Sequence, residues 1–190
     1  MQQNAQFAEP TLFTRHTSIE NTLTYMGSLT SLLVKAEDTG GRFAFVEALL
    51  RKGNEPPPHR HLWEHELYCV LDGLVQFYCE DNVVVARPGD VVFLPQGKAH
   101  AFYIRSPLFR AFISVQATGE HAVGFDRYLT DMGEPAESMD LPADAITHAT
   151  GDPSHAMRIA ARNGIVILTP EEATVELPNY PGFGVDRGPL

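Results

Sequence analysis

The chain has 190 residues, of which 44% are hydrophobic and 20% charged, so it can bury a core and is too apolar for extended disorder. Its formal net charge of −10 excludes a nucleic-acid or anionic-membrane binder, since both need a basic face. The imbalance is lopsided: residues 1–119 carry ten basic and twelve acidic groups, residues 120–190 four and twelve. Two cysteines, Cys69 and Cys79, make no disulfide framework in a chain this long. The first ten residues lack the basic and apolar regions of a signal peptide, and no apolar run approaches the ~20 residues of a spanning helix. The expected setting is cytoplasmic, with reduced thiols.

In chain order, residues 1–21 read as an N-terminal extension, 22–119 as a β-domain and 120–190 as helices and a tail that pack on it. Candidate strands are Leu29–Ala36, Phe43–Arg51, Leu67–Leu71, Leu74–Glu80, Val83–Ala86, Asp90–Leu94, Ala101–Arg105 and Phe109–Val115. β-branched and aromatic residues fill them, and Gly, Pro, Asn or Asp close them. Asp72-Gly73 predicts a two-residue hairpin that pairs Val70 with Val75. Many short strands at this spacing predict an all-β barrel or sandwich. Beyond Gly119, Phe125, Tyr128, Leu129 and Met132 recur at helical spacing and predict a helix over Ala122–Met132. A second helix is expected over Pro153–Arg162, capped by Asp152, followed by an edge strand over Ile165–Leu168 and an irregular tail from Pro178.

Two blocks carry the chemistry. The first runs from Gly53 through His59, His61 and Glu66 to Gly73, the second from Gly89 through Pro95 and Gly97 to His100. On an extended segment His59 and His61 point to one face. Glu66 opens the next strand, and His100 follows the Pro95-Gln96-Gly97 turn. If both blocks line one interior, three imidazoles and a carboxylate converge, a donor set suited to one divalent transition metal: Fe, Mn, Co, Ni or Cu, with Zn possible. His16, His65, His121, His148 and His155 read as surface residues. Glu64 reads as a solvated carboxylate in the bend, with support of a ligand histidine as the other reading.

The blocks match the paired signature of the cupin superfamily, G-x5-H-x-H-x4-E-x6-G and G-x5-P-x-G-x2-H-x3-N, at nine of ten positions, Ile104 replacing the Asn. The resemblance implies a jelly-roll type β-barrel with His59, His61, Glu66 and His100 as metal ligands. A finer resemblance, over roughly Thr22 to Pro142, is to the single-domain cupins grouped with bacterial quercetin 2,3-dioxygenases. It rests on Asp38–Glu47, Pro57-Pro-His-Arg-His, Val92-Phe-Leu-Pro-Gln-Gly, His100-Ala-Phe and Gly133-Glu-Pro-Ala. It implies oxygen-dependent cleavage of a flavonol-like enol, with Glu66 catalytic, and a homodimer; small-molecule substrate and O2 would be the partners. A metal-dependent isomerase or lyase and a non-enzymatic small-ligand binder are the alternative readings. Strand parity from the ligands places Tyr68, Phe77, Phe102 and Ile104 on the pocket wall, and the expected hairpin puts Cys79 opposite Glu66 as a small buried apolar residue.

Overall fold

A computed structural model describes residue 7, residues 9–142 and residues 153–182. The strands are β1 (Thr22–Tyr25), β2 (Ser28–Val34), β3 (Phe43–Arg51), β4 (His59–His61), β5 (Glu64–Asp72), β6 (Val75–Cys79), β7 (Asn82–Ala86), β8 (Val91–Leu94), β9 (His100–Ile104) and β10 (Leu108–Ala117). Then come α1 (Phe125–Met132), β11 (Glu134–Pro135), α2 (Pro153–Arg162), β12 (Ile165–Ile167) and α3 (Pro170–Glu176). Seven strands form one antiparallel sheet in the order β11-β1-β2-β3-β10-β5-β8, and five form a second in the order β12-β4-β9-β6-β7. The two sheets make a jelly-roll with small C-terminal helices, the all-β fold that the sequence implies.

Alternation places the core. Along β5, Glu64, Glu66, Tyr68 and Val70 are buried while the residues between them are partly exposed. In β9 all five residues are buried, because both faces are covered. Phe102 and Ile104 join the core between the sheets. Ala101 and Tyr103 lie under Leu168, Ala173 and Leu177 of the C-terminal elements. A continuous apolar run is what a strand covered on both faces requires.

The Asp72-Gly73 turn departs from the expected hairpin. β5 and β6 do not pair; β5 lies between β10 and β8, and β6 between β9 and β7. Gly73 sits at φ 91°, and Leu74 gives its amide to Ser106 Oγ at 2.8 Å and accepts from the Arg105 amide at 2.7 Å. The turn is thus a corner that carries the chain from one sheet to the other. Inward parity survives the corner because the sheets face each other, so Tyr68 and Phe77 still meet, with ring centroids 5.0 Å apart. Cys79 lies opposite His100 rather than Glu66, and is only half-buried.

The C-terminal segment docks on the barrel through β12, which runs antiparallel to β4 with Ile165 opposite His61 and Ile167 opposite His59. Gly164, at φ 74°, lets the turn before β12 press against Trp63; an added Cβ would fall 2.3 Å from the indole. Helix α3 is additional to the elements predicted above, although Thr169-Pro170-Glu171-Glu172 spells its start: Thr169 Oγ1 accepts from the Glu172 amide and Glu172 accepts from the Thr169 amide. Helix α1 begins at Phe125, three residues later than the spacing predicts. Asp152, His148 and the tail from 183 lie outside the described residues.

Candidate metal centre

His59 and His61 project from β4, Glu66 from β5 and His100 from β9, so both sheets contribute. His59 and His100 are directly opposite in register. The four side chains are buried, and one ligand atom from each lies within 4.8 Å of the others. His100 Nε2 is 3.2 Å from His59 Nε2 and 3.3 Å from Glu66 Oε2; His61 Nε2 is 3.9 Å from the same oxygen. Donors ~2.1 Å from a common ion would be separated by roughly 3 to 4 Å.

The outer ring nitrogens fix the chemistry of the inner ones. His59 Nδ1 donates to the Pro57 carbonyl at 2.8 Å, His100 Nδ1 to the Lys98 carbonyl at 3.0 Å, and His61 Nδ1 to Glu64 Oε1 at 2.6 Å. These oxygens accept, so each Nδ1 carries a proton, which leaves each Nε2 as the atom turned inward and, on a neutral ring, as the one with the free lone pair. Both oxygens of Glu66 and Nε2 of His61 are buried without a hydrogen-bond partner. Buried acceptors facing one another with no donor fit a cation, and the four residues could hold a metal ion.

Electrostatics agree. Burial, reinforced by repulsion from His100 and His61, pushes His59 down to about 3. Burial works to raise Glu66, but the attraction of His61 and His100 outweighs it and holds the carboxyl at about 2. Burial works to lower His61 too, yet the charge of Glu66 and the bond to Glu64 raise it. Glu66 is therefore ionised at neutral pH and His59 is a neutral donor.

Glu64 corrects the sequence reading. It is 1% exposed, not solvated; Oε1 holds His61 and Oε2 accepts from the Gly124 amide at 2.7 Å. Its parity with Glu66 along β5 is the signal that identifies it. His65 accepts from the Gln96 amide at 2.9 Å, and His121 stacks on Trp63.

A cavity of about 70 Å³ adjoins the cluster. Tyr68 and Phe102 line it together with His59, His61 and Glu66. Phe77, expected on the wall, packs instead against Tyr68 and Phe102, with ring centroids 5.0 and 5.5 Å away, and Ile104, also expected there, is fully buried in the same core. The rest of the wall includes Asn54, Phe125, Tyr128 and Leu129, with Tyr25 bonded to Tyr128 through their hydroxyls at 2.5 Å. Phe125, Tyr128 and Leu129 are the apolar face of the helix that the sequence predicts to pack on the β-domain, and they do so at this cavity.

Residues 46–111 match the family model for the cupin domain. A quercetin 2,3-dioxygenase of Bacillus subtilis (strain 168) is 21% identical over 113 residues, 60% of this chain and 32% of that protein. The chain thus spans about a third of the length of this curated relative. Among solved structures, a predicted oxalate decarboxylase of Thermotoga maritima is similar at TM-score 0.49 and 20% identity, over 56% of this chain and 100% of that one. Streptomyces PAC13, solved with uridine, is similar at TM-score 0.46 and 14% identity, over 57% and 86%.

Proposed function

The chain is a member of the cupin superfamily, and on that premise we propose that it is a metal-dependent dioxygenase cleaving a flavonol-like, enolic aromatic substrate with O2. The observation that carries the reading is a buried cluster of three imidazoles and an ionised carboxylate opening onto an apolar, aromatic cavity. The weak likeness to quercetin 2,3-dioxygenase supports the choice of reaction.

His59, His61, His100 and Glu66 would hold the metal. When bound, a redox-active divalent ion supplies positive charge for an enolate and the one-electron chemistry that O2 requires. Both Glu66 oxygens are buried at the cluster, so one can serve as a ligand while the other accepts the proton of a substrate hydroxyl. Burial and the neighbouring Glu66 charge push the Tyr68 phenol well above its usual value, which keeps it a hydrogen-bond donor beside that carboxylate. Phe102, Leu129 and Ile113 give the chamber apolar walls.

The test is elemental analysis of protein expressed with several metals supplied, followed by a flavonol absorbance assay with and without oxygen. About one metal per chain, oxygen-dependent loss of the flavonol band and release of carbon monoxide are expected. Retained metal with no turnover of several flavonols would reject this substrate class. A chain that never retains metal would reject the enzyme.

A further inference from the structure

The metal chamber holds about 70 Å³, whereas pockets that enclose whole small-molecule ligands run to ~300–1,000 Å³. Only a head group fits inside. A second space of about 710 Å³ adjoins the chamber. Tyr25, Met26, Pro57 and Ile167 line both spaces, so the two meet at these residues. The outer space is built largely by the C-terminal elements, with Met157 of α2, Leu168 after β12 and Ala173 of α3 on its wall. Among its described lining residues the ionisable groups are two tyrosines, Tyr25 and Tyr180, and no carboxylate or basic side chain is present.

Resting on the metal-site reading above, we propose that this outer groove receives the apolar body of the substrate, whose oxygen-bearing head reaches the metal chamber past Tyr25, Met26, Pro57 and Ile167. The substrate class is an elongated amphiphile: a small enolic or hydroxyl head that can bind a metal, carried on an uncharged alkyl or aryl body. A charged body would lose its hydration in the groove and find no partner there. The C-terminal segment then sets specificity, in addition to covering the barrel.

The probe is a series of straight-chain hydroxamic acids, from acetohydroxamic to decanohydroxamic acid, titrated into the cobalt(II)-loaded full chain. Binding is read from cobalt absorption and calorimetry. Affinity is expected to rise about three- to fourfold per methylene until the groove is filled. Met157 is 38% exposed, so Met157→Asp should leave the fold, cobalt content and acetohydroxamate affinity unchanged while flattening the chain-length gain; Met157→Leu should retain it. Acetohydroxamate binding with no gain along the series would overturn the groove assignment alone, as would an unaltered gain in Met157→Asp. Failure to retain cobalt, or to bind acetohydroxamate once loaded, would overturn the metal-site reading and the groove assignment with it.

Discussion

Glu64 and His61, three residues apart across the bend between β4 and β5, share a 2.6 Å hydrogen bond at positions that are each 1% exposed. The same carboxylate holds the Gly124 amide at the entry to α1, so one buried side chain sets both the tautomer of a candidate ligand and the place of the helix that walls the cavity. A metal-ligating imidazole oriented in this way is a stronger and better-aimed donor.

Glu64→Ala leaves His61 Nδ1 and the Gly124 amide without acceptors. It should weaken metal binding about 10- to 100-fold while the chain still folds. Glu64→Gln offers one carbonyl oxygen for two donors and should fall between the variant and wild type. Competition with a chelator measures the affinity and circular dichroism the fold; wild-type affinity in both variants would refute the orienting role.

Replacing Glu66 by Gln keeps an oxygen donor and the side-chain shape but removes the charge and most of the basicity. Glu66→Gln should retain part of its metal and lose nearly all turnover, a larger loss than occupancy explains. His59→Ala and His100→Ala should act mainly through occupancy. Activity per bound metal separates the cases, and a Glu66→Gln rate equal to wild type on that scale makes the carboxylate a ligand only.

Asp126 accepts from the Ala36 amide with Oδ2 at 2.8 Å and leaves Oδ1 buried without a partner. Burial raises its carboxyl above the usual 3.8, against the lowering by the Ala36 and Arg127 amides. A carboxyl that holds its proton more tightly in the folded state stabilises the fold when protonated, and that contribution is lost as pH rises through the folded value. Asp126→Asn cannot ionise. The urea midpoint of the variant should therefore gain on wild type as pH climbs from about 4 toward neutrality. Parallel curves would mean that Asp126 titrates normally.

Gly164→Ala adds a methyl group where the Trp63 ring lies 2.3 Å away, on a backbone at φ 74°. The substitution should cost about 1–3 kcal/mol and loosen β12 from β4. Thermal melting and limited proteolysis within 153–182 check it. Unchanged stability and cleavage would show that the turn yields without strain.

The barrel and the four candidate ligands were legible because both depend on short-range rules. Period-two alternation marks β5 and β10, and the His59–His61 spacing puts two rings on one side. The misplaced Val70–Val75 pairing shows where such rules end: a tight turn between two strands looks alike whether they pair or part into different sheets. What decides is Leu74 bonding to the chain at Arg105 and Ser106, a long-range contact. Glu64 departs from a solvated bend residue for a related reason, since its second oxygen is held by Gly124, sixty residues away. Phe77 and Ile104 had the right parity but the wrong depth, and depth along a strand is set by how the sheets stack.

The strand that carries His59 and His61 has only one paired residue on its β9 side, so β12 supplies most of its backbone partners. Ile165–Ile167 are synthesised after the whole barrel. On the ribosome the histidine strand therefore emerges long before the segment that secures it. By linkage, an ion that stiffens the histidines must tighten the grip of the C-terminal strand, and losing that strand must loosen the ion to the same extent. Hydrogen exchange at residues 165–167 would then register occupancy of a site that those residues do not ligate, and in the cell firm metal capture would wait on the synthesis of residues 165–167.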